Sequence, residues 1–329
     1  MSDTQEANTS QPPARKDDPR TTDELVRTAL TADEDSAWRA VSVLHTRGTR
    51  EVFDTARRLC ESQDPKERAL GADILGQLGV GQMSTEQLMA EAADPETAAS
   101  RRWAFHEESV ALLLDLLEHD ADAAVLYSAA AALGHRHDSR AIAPLVRLAE
   151  HPSEDVRDGV VFGLLGHEDE RAIQTLVELS GDADAGVRDW ATFGLAQQTS
   201  ADTQAIREAL VRRLDDEDSD VRAEALIGLA RRGERGIMDR LVRELSDPNL
   251  DPEEYGTWQL LEAAEHMADP HLCPALLRLR ERWTEGAWGL DHAMQACCAE
   301  GPWCSTSGLP DPSDPSYPDR PRVRLAPTE

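Results

Sequence analysis

The sequence has few aromatic residues, few basic residues and no long apolar segment. Phe, Trp and Tyr make up 4% of the 329 residues, and 34 Lys and Arg stand against 63 Asp and Glu, so the formal net charge is −29. Nucleic acids and anionic lipid surfaces are bound mainly through Lys and Arg. The charge therefore argues against both partners, and it favours a basic or neutral protein partner.

Signals for a membrane or for secretion are also missing. No apolar run approaches the roughly 18 residues that a membrane helix needs, and the polar first 20 residues lack the apolar region of a signal peptide. The cysteines are odd in number and unevenly spaced, unlike a secreted disulfide framework. They are Cys60, Cys273, Cys297, Cys298 and Cys304. We expect thiols in the C-terminal run and a cytoplasmic protein.

The two ends of the chain differ from its middle. Residues 1–20 are polar, residues 301–329 are rich in proline, and neither segment has helical periodicity. Such composition is typical of disordered tails. We therefore expect one folded region over 21–300.

The folded region repeats one pattern, Val-Arg-x-x-small-x-x-Gly-Leu. The clear copies are VRDGVVFGL, VRDWATFGL and VRAEALIGL, which begin at Val156, Val187 and Val221. Weaker copies begin at residues 36, 67, 125 and 253. From residue 125 onward the steps are 31, 31, 34 and 32 residues. The step from 67 to 125 is 58 residues. It corresponds to one period plus an insertion, which we place near 80–106. Below, an offset counts residues from the first position of this pattern.

A second ladder follows the first with matching steps. Apolar doublets begin at Leu145, Leu176, Leu210 and Leu241, and three of them follow the motif Arg-(Ala or Gly)-Ile. Each unit of about 31 residues therefore reads as two short helices with one apolar face each. Asp or Ser before each copy can cap the next helix. A helix pair this short cannot bury its apolar face alone, so neighbouring units must stack.

These motifs resemble HEAT repeats of the short bacterial kind called phycobilisome-lyase-like. The matching patterns are D-x-x-V-R-x-x-A-x-x-x-L for the first helix and D-x-R-A-I for the second, over roughly residues 30–285. The resemblance implies an all-α fold, a right-handed α-α superhelix or HEAT-like solenoid of about seven helical-hairpin repeats. A capping helix is expected near 286–299. For function it implies scaffolds and partner-binding surfaces.

An apolar strip on the first helices is the candidate partner-binding site. Offset +6 carries an apolar side chain in three successive repeats, and Trp190 stands at offset +3 beside it. Contiguous exposed apolar side chains mark interaction sites. The strip comprises Phe162, Trp190, Phe193 and Ile227. Packing is the alternative, in which Trp190 fills the space that glycines of the preceding repeat leave.

Charged and metal-binding groups suggest weaker alternatives. Arg157, Arg188 and Arg222 recur at offset +1, and we favour ion pairs between repeats over an anion site. His135, His137 and His167 lie in equivalent loops and could hold zinc or iron, although solvated loop histidines are the favoured interpretation.

Two enzyme families with HEAT-like repeats are alternatives to a scaffold. Deoxyhypusine hydroxylase uses His-Glu dipeptides, but His106-Glu107 and His167-Glu168 do not recur at equivalent positions here. A DNA glycosylase needs a basic groove, which the net charge opposes. No P-loop, Rossmann or G-x-S-x-G motif is present, so no catalytic, cofactor-binding or metal residue is predicted. We predict a non-catalytic scaffold, with a lyase-like or metal-dependent enzyme of the deoxyhypusine-hydroxylase type as the alternative.

Overall fold

The computed structural model describes residues 18–80, 104–283 and 289–298. These residues form α-helices and short 3₁₀ helices, and no strand occurs among them. The all-α prediction is therefore confirmed. The expected tails and most of the expected insertion near 80–106 lie outside the described residues. None of the described helices is long and apolar enough to cross a membrane.

The chain divides into two compact units, of which the first ends at Arg213 and the second begins at Leu214. The helices of the first unit are α1 (Thr22–Thr31), α2 (Glu34–Arg47), α3 (Arg50–Cys60), α4 (Pro65–Gln77), α5 (His106–His119), α6 (Ala123–Arg136), α7 (Ile142–Leu148), α8 (Glu154–Leu164), α9 (Glu170–Leu179), α10 (Ala185–Gln197) and α11 (Gln204–Arg213). A 3₁₀ helix, Ser139–Ala141, leads into α7.

The second unit continues the same pattern. Its helices are α12 (Ser219–Arg231), α13 (Met238–Leu245), α14 (Tyr255–Met267), α15 (Cys273–Arg282) and α16 (Leu290–Cys297). The 3₁₀ helices Arg235–Ile237 and Pro270–Leu272 precede α13 and α15. In this unit α12 packs on α14, α14 packs on α16, and α13 packs on α15.

The repeat ladder corresponds to stacked helix hairpins. Each predicted first helix is present, as α2, α4, α6, α8, α10, α12 and α14. In the first unit α4, α6, α8 and α10 pack side by side in chain order, and the second helices α5, α7, α9 and α11 form a parallel row. The two rows bury the apolar faces that a single hairpin would leave in water.

Aspartate side chains begin most of the first helices. Asp122, Asp184 and Asp218 each accept a hydrogen bond from a backbone N–H in the first turn of α6, α10 and α12. This bond satisfies a donor that the helix itself leaves unpaired. Ser153 stands at the same place before α8 but makes no side-chain capping bond, so the predicted Ser cap is wrong there.

Arginine at offset +1 holds four of the first helices, α4, α8, α10 and α12, to the loops before them. In each case Nη1 donates hydrogen bonds of 2.8–3.3 Å to the carbonyl oxygens of the residues five and six positions earlier. The four arginines are Arg68, Arg157, Arg188 and Arg222. Two of these side chains also reach an aspartate at the start of the next repeat. Arg157 pairs with Asp182 at 2.7 Å, and Arg68 pairs with Asp120 at 2.6 Å. The predicted inter-repeat ion pair is therefore present at Arg157.

The Arg157 side chain is expected to be a strong contributor to the stability of the first unit. Arg157→Ala removes the ion pair with the largely buried Asp182 and two bonds to loop carbonyls, and charged hydrogen bonds of this kind contribute roughly 1 to 3 kcal/mol. The free energy of unfolding, measured by urea denaturation, should fall by about that amount. Arg171→Ala is the matched control, because Arg171 is exposed and its partner Asp169 is partly exposed, and pairs near the surface contribute little. Equal effects of the two substitutions would contradict the assignment.

Cys273 and Cys298 form a disulfide between the start of α15 and the end of α16. The expectation of free thiols was therefore wrong for Cys298, because pairing depends on how the chain brings two Cβ atoms together, and spacing alone does not reveal this. Cys60 and Cys297 are buried free thiols, and burial raises their pKa values to about 12 and about 11. The cytoplasmic location stays a prediction, since one argument for it came from cysteine usage.

The disulfide should stabilise the second unit. It closes a loop with a sequence separation of 25 residues, for which loop-closure entropy gives roughly 3 kcal/mol. A reducing agent should therefore lower the unfolding midpoint of the wild-type protein. Cys273→Ser/Cys298→Ser should unfold at the lower midpoint and should not respond to the reducing agent. A wild-type midpoint that is the same with and without reductant would show that the bond contributes nothing.

Candidate partner-binding surface

Four aromatic side chains from three neighbouring first helices lie in a row in the first unit. Tyr127 belongs to α6, Phe162 to α8, and Trp190 and Phe193 to α10. The ring centroids are 6.4 Å apart for Tyr127 and Phe162, 4.7 Å for Phe162 and Trp190, and 5.6 Å for Trp190 and Phe193. These separations are typical of interacting rings. We call the four side chains the aromatic row.

The aromatic row is partly exposed along its whole length, because all four residues are of intermediate burial. The structure thus brings together three of the four residues of the predicted strip, and it adds Tyr127. The row combines a surface position with the residue types that dominate the centres of protein interfaces.

Ile227 does not belong to this surface, and the prediction that included it is wrong. It lies on α12 in the second unit and is fully buried. Every residue of α12 from 223 to 230 is buried, and its sequence there, AEALIGLA, is apolar apart from the buried Glu224. A helix with that composition has no solvent face at offset +6.

Small residues let α6 and α8 approach closely, and this approach positions Tyr127. A Cβ atom at Gly159 would lie 3.0 Å from Cα and 3.2 Å from Cδ2 of Tyr127, and one at Gly163 would lie 2.9 Å from the carbonyl oxygen of Ala130. The two helices therefore approach each other closely at Gly159 and Gly163. Trp190 was expected to fill the space beside Gly159, but Tyr127 occupies it, and Trp190 packs on Phe162 instead.

Carboxylates accompany the rings on the same helices. Asp158 and Asp189 stand at offset +2, four residues before Phe162 and Phe193, so each carboxylate shares a helix face with a ring. Burial raises the pKa of Asp158 to about 7, and the negative charges of Asp184, Asp155 and Asp189 add to the shift. The Oδ1 atom of Asp158 is enclosed and accepts no hydrogen bond.

A second carboxylate lies at the other end of the row, near Tyr127. Burial raises the pKa of Asp73 on α4 to about 6, against the opposing effect of a hydrogen bond with Ser128. Burial also raises the pKa of Tyr127 to about 12, with contributions from the charges of Asp158, Asp73 and Asp155. The surface therefore presents aromatic rings next to poorly solvated carboxylates.

The loop histidines form a packed pair in the first unit. The rings of His137 and His167 are stacked with their centroids 4.2 Å apart and their planes 7° apart. His167 is buried, and its Nε2 has no hydrogen-bond partner. His135, by contrast, is exposed and lies 3.0 Å from the amide of Gln77 through Nε2.

The two His-Glu dipeptides do not converge on a common centre. His106 Nε2 lies 3.2 Å from Asp138 Oδ2, whereas Glu168 accepts hydrogen bonds from the Thr199 hydroxyl and the Ser200 amide. Within the described ranges, no group of three or more His, Cys, Asp or Glu side chains is arranged to hold a metal ion. The geometry of these residues does not favour the metal-dependent alternative.

The buried histidine should make the first unit sensitive to acid. Burial and the neighbouring His137 lower the pKa of His167 to about 4, below the value of about 6.5 in an unfolded chain. Between those pH values only the unfolded state gains the proton, so stability falls as the pH falls, by about 3 kcal/mol at most. In urea denaturation from pH 7 to pH 4, His167→Phe should remove this loss while keeping a ring against His137.

His119→Gln is the matched control for this measurement, because His119 is exposed on α5. Its substitution should leave the wild-type pH dependence in place. A loss of stability that is the same in the wild type and in His167→Phe would show that other groups cause it.

Comparison with known proteins agrees with this architecture. A family model described as HEAT repeats matches residues 110–196. Protein YibA of Escherichia coli strain K12 is 26% identical over 272 residues, which cover 77% of this chain and 83% of that protein. The X-ray structure of Escherichia coli YibA superposes with a TM-score of 0.63 and 22% identity, over 85% of this chain and 93% of that chain. This likeness bears on the fold alone.

Two further solved structures are more distant. The complex of CpcE and CpcF of phycocyanin lyase from Nostoc sp. PCC7120 has a TM-score of 0.43 and 16% identity, over 91% of this chain and 99% of that chain. Human deoxyhypusine hydroxylase has a TM-score of 0.32 and 16% identity, over 85% of this chain and 96% of that chain. Neither likeness bears on what this chain does. The repeat ladders, the stacked hairpins and the family model over residues 110–196 together show that the chain contains HEAT repeats.

Proposed function

We propose that this chain is a non-catalytic scaffold that binds a basic or neutral protein partner through the aromatic row. The observation that carries the proposal is the row itself: Tyr127, Phe162, Trp190 and Phe193 are in ring contact and remain partly exposed. Burying large aromatic side chains against a partner is a main source of binding free energy in protein interfaces. The net charge of −29 favours partners that are not themselves acidic.

Repeat stacking supplies the rigidity that such a surface needs. The rings stand on α6, α8 and α10, which pack directly on one another, so the spacing of the rings is fixed before any partner arrives. A preorganised surface loses little conformational entropy on binding. This rigidity supports a binding role for the row.

The proposal predicts that truncating the row abolishes a specific interaction without unfolding the protein. Tagged wild-type protein and Trp190→Ala/Phe193→Ala would be used to capture partners from a lysate of the source cells, and any stoichiometric partner would be purified and titrated by calorimetry. Loss of two central aromatic anchors should weaken binding by about 30-fold or more. Circular dichroism and the unfolding midpoint check that the variant is folded.

Trp38→Ala/Val211→Ala is the matched control. It also removes one tryptophan and one apolar side chain from the first unit, at positions that are 52% and 49% exposed. The control should bind the partner as the wild type does. A partner that is kept by the row variant and lost by the control would refute the assignment of the row.

A further inference from the structure

Asp158 has a strongly negative environment, since the charged groups that help to raise its pKa are the carboxylates of Asp184, Asp155 and Asp189. Among the described residues, no Arg, Lys or His forms an ion pair with Asp155, Asp158 or Asp184. The arginine next to Asp158 in sequence is engaged elsewhere, since Arg157 binds Asp182 and two loop carbonyls. Within the part of the chain that the structure describes, Asp158 therefore has no ion-pair partner.

Asp158 lies near Tyr127, and its negative charge helps to raise the pKa of that side chain. The residue after it, Gly159, is in contact with Tyr127, and Phe162 follows one helical turn later on the same face of α8. Trp190 packs on Phe162 at 4.7 Å. Asp158 therefore stands beside Tyr127 of α6 and one helical turn before Phe162 on α8, which in turn packs on Trp190 of α10.

Aromatic rings beside a poorly solvated carboxylate favour a cationic ligand. The face of an aromatic ring attracts a cation through its quadrupole, and the attraction is stronger where water is excluded. A poorly solvated carboxylate without a partner is unfavourable on its own, and an ammonium or guanidinium group that binds it removes that penalty. An apolar side chain would satisfy the rings but would leave the carboxylate unpaired.

We propose that Asp158, Tyr127, Phe162 and Trp190 form a receptor for a single lysine or arginine side chain of the protein partner. This inference rests on the proposed scaffold function and narrows it, since it requires a basic rather than a neutral partner. The alkyl stem of the bound side chain lies along the rings, and its cationic end pairs with Asp158. The excess of carboxylates around the row provides the charge complementarity that selects this occupant.

The test uses small probes, because the partner is not needed to detect the site. The full chain, labelled with 5-fluorotryptophan, would be titrated with Nα-acetyl-lysine amide, Nα-acetyl-arginine amide and the neutral Nα-acetyl-norleucine amide. Fluorine NMR would follow the Trp190 resonance, which is assigned with Trp190→Phe. The two cationic probes should bind at least about fivefold more tightly than the norleucine probe.

Asp158→Asn should abolish the preference for cationic probes while leaving norleucine binding unchanged. The variant is expected to fold at least as stably as the wild type at neutral pH, because it removes a carboxylate that no cation balances. Asp35→Asn is the matched control: it changes the net charge equally at a site on α2 whose side chain is 87% exposed. This control should keep the full preference.

The pH dependence gives a second readout. Asp158 must be ionised to hold a cation, and its pKa is about 7, so affinity for the lysine probe should rise from pH 6 to pH 8 in the wild type. Asp155, Asp184 and Asp189 also face Asp158, and Tyr127 does not titrate in this range because its pKa is about 12. Comparison with Asp158→Asn separates the effect of Asp158 from that of the other carboxylates.

The outcomes of the two tests are distinguishable. Equal affinity of the lysine and norleucine probes for the wild type, or an unchanged preference in Asp158→Asn, overturns the cation receptor, even if the row still binds a protein partner. Retention of the partner by Trp190→Ala/Phe193→Ala overturns the scaffold assignment, even if the probes bind as expected. A loss of preference that is equal in Asp158→Asn and Asp35→Asn also overturns the receptor, because net charge alone would then explain it.

Discussion

The arginine at offset +1 sets the register on which the rest of the first unit depends. Arg157 joins three parts of the molecule: its own helix, the loop before that helix, and Asp182 at the start of the next repeat. Arg68 makes the equivalent contacts with Asp120. A guanidinium group can do this because its donors form a rigid planar fork that fits a carboxylate and two carbonyls at once. Each such side chain therefore fixes the position of one first helix relative to the next.

The junction between α6 and α8 reaches the same register by different means. Offset +1 of α6 is Leu126, which cannot donate hydrogen bonds. Instead, α6 and α8 are in close backbone contact at glycines. Gly134 lies against the carbonyl of Phe162, and Gly163 lies against the carbonyl of Ala130. Close backbone packing excludes larger side chains and so specifies the alignment sterically. The aromatic row forms where this junction and the arginine-held junction of α8 with α10 adjoin.

The angular position of a residue could be predicted from the sequence, whereas its neighbours could not. The offsets place Phe162, Trp190 and Phe193 on one side of successive helices, and the structure brings them together. The same reasoning failed for Ile227, since burial depends on what covers a helix face, and residues 223–230 of α12 are buried on every side. Tyr127 was missed because it stands at offset +2 of a weak repeat copy, and only its packing on Gly159 reveals its role.

The disulfide is another feature that repeat periodicity could not reveal. Cys273 and Cys298 lie outside the repeating pattern, and their pairing depends on how α16 returns to the start of α15. Helix caps, hairpins and stacking all follow from local sequence, repeated along the chain. Features that occur once, such as the disulfide or the stacked His137 and His167 rings, depend on the assembled tertiary structure.

Within the described residues, the absence of an ion pair at Asp158 contrasts with the pairing of other aspartates in the first unit. In the same repeats Asp120 and Asp182 are matched by arginines at less than 3 Å, so this fold can neutralise an aspartate where stability requires it. Asp158 adjoins such an arginine in sequence, yet that arginine pairs with Asp182, and Oδ1 of Asp158 is enclosed without a hydrogen-bond partner among the described residues. A protein that tolerates an unbalanced, poorly solvated charge gives up some stability at that position. That cost is explained if the missing positive charge arrives with a partner, which is the condition that a receptor for a lysine or arginine side chain must meet.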